Sequence, residues 1–152
     1  MPEAPAPDKT PRQRWMAILA RAEAAEMTAL LHDLPPLPEH RVLRGPETGL
    51  VMVRGRAGGG GAPFNLGEMT VTRCTVRAGG QTGHATVAGR DGARALLAAR
   101  IDAALQDADW HDRLQASVIA PLAARQLAAR AGTAARAAAT KVDFFTLQTM
   151  RT

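Results

Sequence analysis

The turn that precedes the helical second half of the chain carries side chains suited to binding an anion. Gly89-Arg90-Asp91-Gly92 is followed two residues later by Arg94, and Asp91 can cap the helix that begins there. The dipole and free N–H groups of a helix N-terminus attract negative charge, so Arg90 and Arg94 are candidate ligands of a phosphate. Because the Asp91 carboxylate can satisfy the same N–H groups, ordinary helix capping is the interpretation that we favour.

Arg73 is a third candidate ligand. It lies with Glu68 in a predicted strand otherwise made of Thr, Val, Met and Cys, where a charge must be paired, exposed or functional. We favour a cross-strand ion pair or an edge position. The functional alternative is an arginine that binds a triphosphate or a carboxylate of a partner.

Two further motifs fit ordinary structure better than chemistry. The four glycines at 58–61 lack the Gly-Lys-Ser/Thr ending of a P-loop, and Pro63 follows where a helix should begin, which predicts a hairpin loop. His84 shares a strand face with Thr82 and Thr86, which predicts a polar sheet face rather than a catalytic histidine.

The remaining residue patterns predict no metal site, no bound cofactor and no catalytic residue in this chain. Cys74 is the only cysteine. None of the four histidines is spaced three or four residues from another, as a local metal-binding pair on a helix would be.

Apolar side chains near the chain end are candidate contacts to a partner protein. Phe144, Phe145 and Leu147 either fold back onto the domain's own core or dock on another subunit. The Ala-rich segment with Arg125 and Arg130 is either an interface helix or a solvated basic face.

Hydrophobic periodicity places these residues on an α+β fold: an N-terminal helix, antiparallel β-hairpins, then C-terminal helices and an apolar tail. Residues 1–9 form a Pro-rich leader predicted to be disordered, and 10–152 a single domain. The first helix begins with a Thr10/Gln13 capping box and is predicted to run to about His32.

Four strands are predicted, at 40–44, 49–53, 68–77 and 82–89. The strand at 49–53 is continuously apolar, as expected of burial on both faces. In 68–77 the apolar positions change parity, which predicts a bulge near Thr72 and Arg73 or burial on both faces. Asp91 starts one helix, a second covers about 110–119, and Pro121 interrupts it and starts a third.

Composition limits the class of protein. The chain has 152 residues, 3% aromatic residues and a net charge of +5. Lys9 and Lys141 are its only lysines, so arginine carries most of the positive charge. This balance suits an anionic ligand, a nucleic acid or an acidic partner. With neither a signal peptide nor an apolar run of membrane-spanning length, a cytoplasmic protein without membrane contact is expected.

The order of several short motifs resembles the PhnG family of bacterial phosphonate degradation over roughly residues 10–150. The motifs are Arg14-Trp15-Met16, Glu47-Thr48-Gly49-Leu50-Val51, Phe64 with Gly67-Glu68, Thr70-Val71-Thr72-Arg73, Gly89-Arg90-Asp91, Ile119-Ala120-Pro121-Leu122 and Lys141-Val142-Asp143-Phe144-Phe145-Thr146.

The resemblance implies an accessory subunit of the carbon–phosphorus lyase core complex, with the H, I and J subunits as partners and the I subunit the most direct. In that family the complex displaces adenine from MgATP with methylphosphonate to give α-D-ribose 1-methylphosphonate 5-triphosphate. The nucleosidase-like role is placed on the I subunit and the radical cleavage on the J subunit. MgATP is then a substrate of the complex, and self-association of this chain stays open.

Two other functional classes are alternatives to an accessory subunit of the complex. A basic nucleic-acid-binding module fits the charge, but the strands lack the aromatic residues that stack on bases, and we expect no nucleic-acid partner. A self-sufficient enzyme would need an acid–base or nucleophile set, which the spacing does not show.

Overall fold

The chain folds as two short helices, a three-stranded antiparallel sheet and a helical C-terminal region, which confirms the α+β class. The computed structural model describes residues 8–56 and 61–141. Its elements are α1 (Pro11–Leu19), α2 (Ala24–Leu31), β1 (His40–Arg56), β2 (Pro63–Ala78), β3 (Gln81–Ala88), α3 (Gly92–Leu105), α4 (Ala108–Leu114), a π-helical turn (Gln115–Ile119) and α5 (Ala120–Ala139).

The capping box predicted at the first helix is present. The Thr10 hydroxyl accepts a hydrogen bond from the Gln13 N–H, and the Gln13 side chain accepts one from the Thr10 N–H. The single helix expected to reach His32 is wrong, because α1 ends at Leu19 and a second capping box, formed by Glu23 and Glu26, starts α2. Most of the predicted leader lies outside the described residues.

The sheet has the order β1-β2-β3 and is made of two consecutive hairpins. The predicted turn between the last two strands is confirmed: Gly79 and Gly80 adopt φ angles of 55° and 83°, which glycine tolerates without strain. The first hairpin is much longer than the second, since β3 pairs with β2 only from Val71 to Ala78.

β1 is one long strand where two short ones were predicted. Its pairing with β2 continues from His40 to Arg56, with register shifts at three places. The two-sided burial predicted for 49–53 is wrong within this chain, because Leu50 and Met52 are 58% and 53% exposed. These residues lie beyond the part of β2 that β3 covers.

The parity change in β2 reflects burial on both faces rather than a bulge in that strand. Val71 and Thr72 are adjacent and both buried, while β2 pairs with β3 without interruption through these positions. The irregularity lies in β1 instead, where Gly45 and Pro46 stand opposite the single residue Cys74, between the pairs formed by Arg44 and Glu47.

The core lies between one face of the sheet and α3. Gly83 of β3 lies so close to α3 that a Cβ atom there would overlap the Ala99 carbonyl oxygen and the Ala103 nitrogen. Many of the buried side chains are alanines, as the composition indicates, and they let the backbones approach closely. The largest fully buried apolar residues are Leu19, Met27, Ile101, Leu105, Leu114 and Leu122.

The helix break predicted at Pro121 is absent, and helical structure continues from Ala108 to Ala139. Pro121 cannot donate to the carbonyl four residues earlier, and its ring would clash with that carbonyl in a regular α-helix. A π-helical turn precedes it instead, in which the Ala120 N–H bonds to the Gln115 carbonyl. No helix in the described part of the chain is long and apolar enough to cross a membrane.

Candidate functional site

The N-terminus of α3 is closed by the chain's own side chains. Asp91 accepts a hydrogen bond from the Arg94 N–H at 2.9 Å, the capping role predicted for it. The Thr72 hydroxyl donates to the Gly89 carbonyl (2.7 Å) and accepts from the Asp91 N–H (3.2 Å). These bonds hold the turn against β2 and occupy groups that an anion at this helix end would need.

Arg90 and Arg94 do not converge on one site. The Arg94 side chain is only 11% exposed, donates to the Ala20 carbonyl at 2.7 Å and lies 3.8 Å from the Glu23 carboxylate. It therefore braces the connection between α1 and α2. Its Nε atom is buried without a hydrogen-bond partner. Arg90 is exposed in the turn before α3.

Arg73 lies on the face of the sheet opposite the core. It is exposed in the central strand, paired in register with Glu47 of β1 and Thr86 of β3. Within the described residues its guanidinium makes no ion pair, because the Glu47 carboxylate is held by Arg44 at 2.7 Å. Glu68 alternates to the other face of β2, further along the hairpin. The cross-strand ion pair or edge position that we favoured for Arg73 is therefore wrong within the described residues, and Arg73 stays a candidate anion ligand.

Two more arginines lie on the same sheet face as Arg73. Arg77 is four residues further along β2, and Arg41 of β1 is directly opposite Arg77. Like charges that face each other across strands destabilise a sheet, so the pair favours an anionic partner. An open groove of about 440 Å³ adjoins them, with His40, Leu43 and the turn glycines in its walls. Burial, and secondarily the charge of Arg100, lower the pKa of His40.

The polar sheet face predicted around His84 is confirmed. Nδ1 of the exposed His84 ring lies 3.1 Å from the hydroxyl of Thr75, its cross-strand neighbour. A histidine and a hydroxyl alone complete no acid–base set, although His84 also lines a cavity of about 220 Å³ with mostly apolar walls.

Asp102 forms a buried polar centre that the sequence reasoning missed. Its carboxylate is fully buried and accepts hydrogen bonds from the Arg12 Nε (3.3 Å) and terminal nitrogen (2.8 Å), from the Trp15 indole (2.8 Å) and from the His84 N–H (2.9 Å). The available signal was a carboxylate between Ile101 and Ala103 in an otherwise apolar stretch of helix. All its acceptor capacity is used internally, so its role is to join α1, β3 and α3.

The remaining predicted contacts cannot be placed. Phe144, Phe145 and Leu147 lie outside the described residues. Within residues 8–56 and 61–141, histidine, cysteine and carboxylate side chains form no group of three that could hold a metal ion.

Comparisons with known proteins identify the family of this chain. The family model described as "Phosphonate metabolism protein PhnG" matches residues 10–150. A curated relative from Rhizobium meliloti (strain 1021), the "Alpha-D-ribose 1-methylphosphonate 5-triphosphate synthase subunit PhnG", is 48% identical over 137 residues, which cover 90% of this chain and 87% of the relative. The chain belongs to the PhnG family.

Proposed function

We propose that the chain is an accessory subunit of the α-D-ribose 1-methylphosphonate 5-triphosphate synthase of organic phosphonate catabolism. The observation that carries this proposal is the 48% identity, over nearly the whole chain, to a relative that bears that name. The complex displaces adenine from MgATP with methylphosphonate, so that the glycosidic bond to adenine breaks and a bond from ribose to a phosphonate oxygen forms.

The chain contributes assembly rather than a complete active site. The carboxylate of Asp102, its most conspicuous buried polar group, is fully engaged in hydrogen bonds that join α1, β3 and α3. Its uncommitted charges are arginines on an open sheet surface, which can bind a carboxylate of a neighbouring subunit or a phosphate, but cannot serve as general acid or base near pH 7. Partners in this proposal are the H, I and J subunits, with the I subunit in most direct contact, in the cytoplasm.

The experiment is co-expression of the full chain with the candidate I subunit, followed by size-exclusion chromatography with light scattering. Co-elution at the summed mass is expected. A second chain, truncated before Lys141, tests the tail that contains Phe144 and Phe145, and loss of co-elution would assign that tail to the interface. A full chain that stays monomeric beside the I, H and J subunits contradicts the proposal.

A separate assay tests catalysis by the chain alone. Purified chain, mixed with MgATP and methylphosphonate, is expected to release no adenine, while the reconstituted complex does. Adenine release by the isolated chain would show that it carries its own active site.

A further inference from the structure

The first hairpin extends well past the rest of the sheet. We define the arm as residues 49–56 of β1 and 63–70 of β2. These strands pair with each other, whereas β3 begins its pairing at Val71. Eight residues of strand span about 25 Å. A ribbon of two strands is only marginally stable in water unless another surface packs on it.

Both faces of the arm carry exposed apolar side chains. Leu50 and Met52 lie on one face and are 58% and 53% exposed. Leu66 and Met69 lie on the other face, at 59% and 42% exposure; Met69 pairs with Val51, and a methyl group at Gly55 would overlap Leu66. Of the eight large apolar residues exposed in the described part of the chain, five are in the arm, the fifth being Phe64. Such a concentration marks a contact surface.

The amino-acid pattern of the arm is that of a buried element. Continuous apolar residues at 49–53 are typical of a strand covered on both faces. The described helices pack on the sheet at the other end, and leave Leu50 and Met52 uncovered. Cover for both faces must therefore come from outside the described residues.

The charges that follow the arm along the same sheet face indicate the chemistry of what covers it. Arg73 and Arg77 continue along β2 on the face that carries Met69, and Arg41 lies opposite Arg77. These three exposed guanidiniums make no ion pair with the described carboxylates. An apolar strip that ends in unpaired arginines is complementary to an apolar cleft with an acidic rim.

A second copy of the chain fits this surface poorly. The carboxylate closest to the arginines in the pairing, Glu47, is already held by Arg44. Two arms stacked through the faces that carry Met69 would leave both arginine clusters without added negative charge, because Glu68, the carboxylate within the arm, lies on the opposite face.

We propose that the arm inserts into an apolar cleft of a different protein chain, and that Arg73 next to the arm, with Arg41 and Arg77 further along the same sheet face, binds carboxylates of that chain beside the cleft. The inference rests on the proposed function, since it takes the partner to be another subunit of the synthase complex.

The apolar contact is tested by titrating the full-length chain against the purified I subunit. The double substitution Leu66→Asp, Met69→Asp is expected to weaken binding by about 30-fold or more, because two contacts become desolvated carboxylates. Leu127→Asp is the matched control, since Leu127 is 68% exposed on α5, away from the arm. It is expected to stay within about 3-fold of the unsubstituted chain. Equal losses in both variants would overturn the assignment to the arm.

The charged contact is tested by Arg73→Glu combined with Arg77→Glu. We expect about a 10-fold loss at low salt that shrinks as salt rises, because screening weakens exposed charge pairs. Arg14→Glu combined with Arg21→Glu makes the same charge change on exposed positions of the N-terminal region and is expected to have little effect. Equal effects of the two pairs would mean that net charge alone matters, which contradicts an acidic rim at the arm.

Hydrogen exchange identifies the occupant of the arm. Amides of 49–56 and 63–70 are expected to exchange rapidly in the free full-length chain and slowly in the complex. If they are slow in the free chain and become fast on truncation before Lys141, the chain's own tail covers the arm and the proposal falls. A concentration-dependent dimer abolished by Leu66→Asp, Met69→Asp would assign the arm to a second copy and overturn it too.

The arm proposal and the proposed function fail in different ways. If the unsubstituted chain forms the complex and the arm variants form it equally well, the chain is still a subunit but the arm is not its contact. If the unsubstituted chain associates with none of the I, H and J subunits, both proposals fall.

Discussion

Asp102 is the residue on which three elements depend. Its buried carboxylate accepts four hydrogen bonds, two of them from a guanidinium that is 38% exposed. Removing one partner of a buried ion pair destabilises the fold by more than the intact pair stabilises it, because the remaining donors then have neither water nor an acceptor to bond.

We therefore predict that Asp102→Ala lowers the free energy of unfolding by about 3–5 kcal/mol. The measurement is urea unfolding, followed by tryptophan fluorescence. Asp109→Ala is the control, since Asp109 is exposed and its change is expected to stay within about 0.5 kcal/mol. Similar unfolding midpoints for the two variants would show that the buried network contributes little.

Cys74 makes stability depend on pH. Burial raises the pKa of its thiol, so the native chain keeps the proton after the unfolded chain, whose cysteine titrates near pH ~8.5, has lost it. The stability that this thiol contributes is complete below that pH and is lost as pH rises through the native pKa.

The free energy of unfolding is expected to fall above about pH 8.5, by at most about 1.4 kcal/mol per pH unit from this thiol. The fall should be steeper in the unsubstituted chain than in Cys74→Ala. Urea unfolding between about pH 7.5 and about pH 9.5 measures both slopes. Equal slopes would mean that the thiol ionises alike in the two states.

At the scale of elements, the contact between β3 and α3 sets the thickness of the core. We predict that Gly83→Ala destabilises the chain by about 1–3 kcal/mol or more, because its methyl group meets the backbone of α3, which cannot move like a side chain. The same change at Gly132, where a Cβ meets nothing within 4 Å in exposed α5, is expected to stabilise it by about 0.5–1 kcal/mol. Thermal unfolding of the pair tests both signs; a neutral Gly83→Ala would contradict the close packing.

Most elements were predictable because their signals are local. The Thr10 capping box, the Gly79-Gly80 turn and the Asp91 cap each depend on residues within four positions of one another. Two errors arose from signals that are equally local but that hydrophobic periodicity does not carry. Glu23 restarts a helix that periodicity alone extends, and the π-helical turn lets Pro121 stay inside a helix that proline normally breaks.

The candidate site shows a different limit, which residues distant in sequence set. The sequence shows that Arg73 is a charged residue in a strand. It does not show that Glu47 lies opposite Arg73, nor that the Glu47 carboxylate forms its ion pair with Arg44, because both depend on the strand register. The inward direction of Arg94, toward the Ala20 carbonyl, depends on how α1 and α2 meet α3. Neither fact is encoded in local spacing.

At the scale of the whole molecule, we predict that partners stabilise the chain by mass action. At a free I-subunit concentration 100 times the dissociation constant, the free energy of unfolding should rise by about 2.7 kcal/mol, which corresponds to an increase in melting temperature of several degrees. Differential scanning calorimetry across an I-subunit titration measures the shift. Serum albumin at equal concentration is the control, and an unchanged melting temperature would contradict subunit assembly.

The Asp102 network also constrains the order in which a newly made chain can fold. Arg12 and Trp15 are separated from Asp102 by 90 and 87 residues. At ribosomal rates of about 5–20 residues per second, the indole of α1 waits roughly 4–17 s for its acceptor to be synthesised. Both hairpins have been synthesised before that acceptor emerges, so α1 can form these bonds only after all three strands exist, and until then its tryptophan is available to a chaperone.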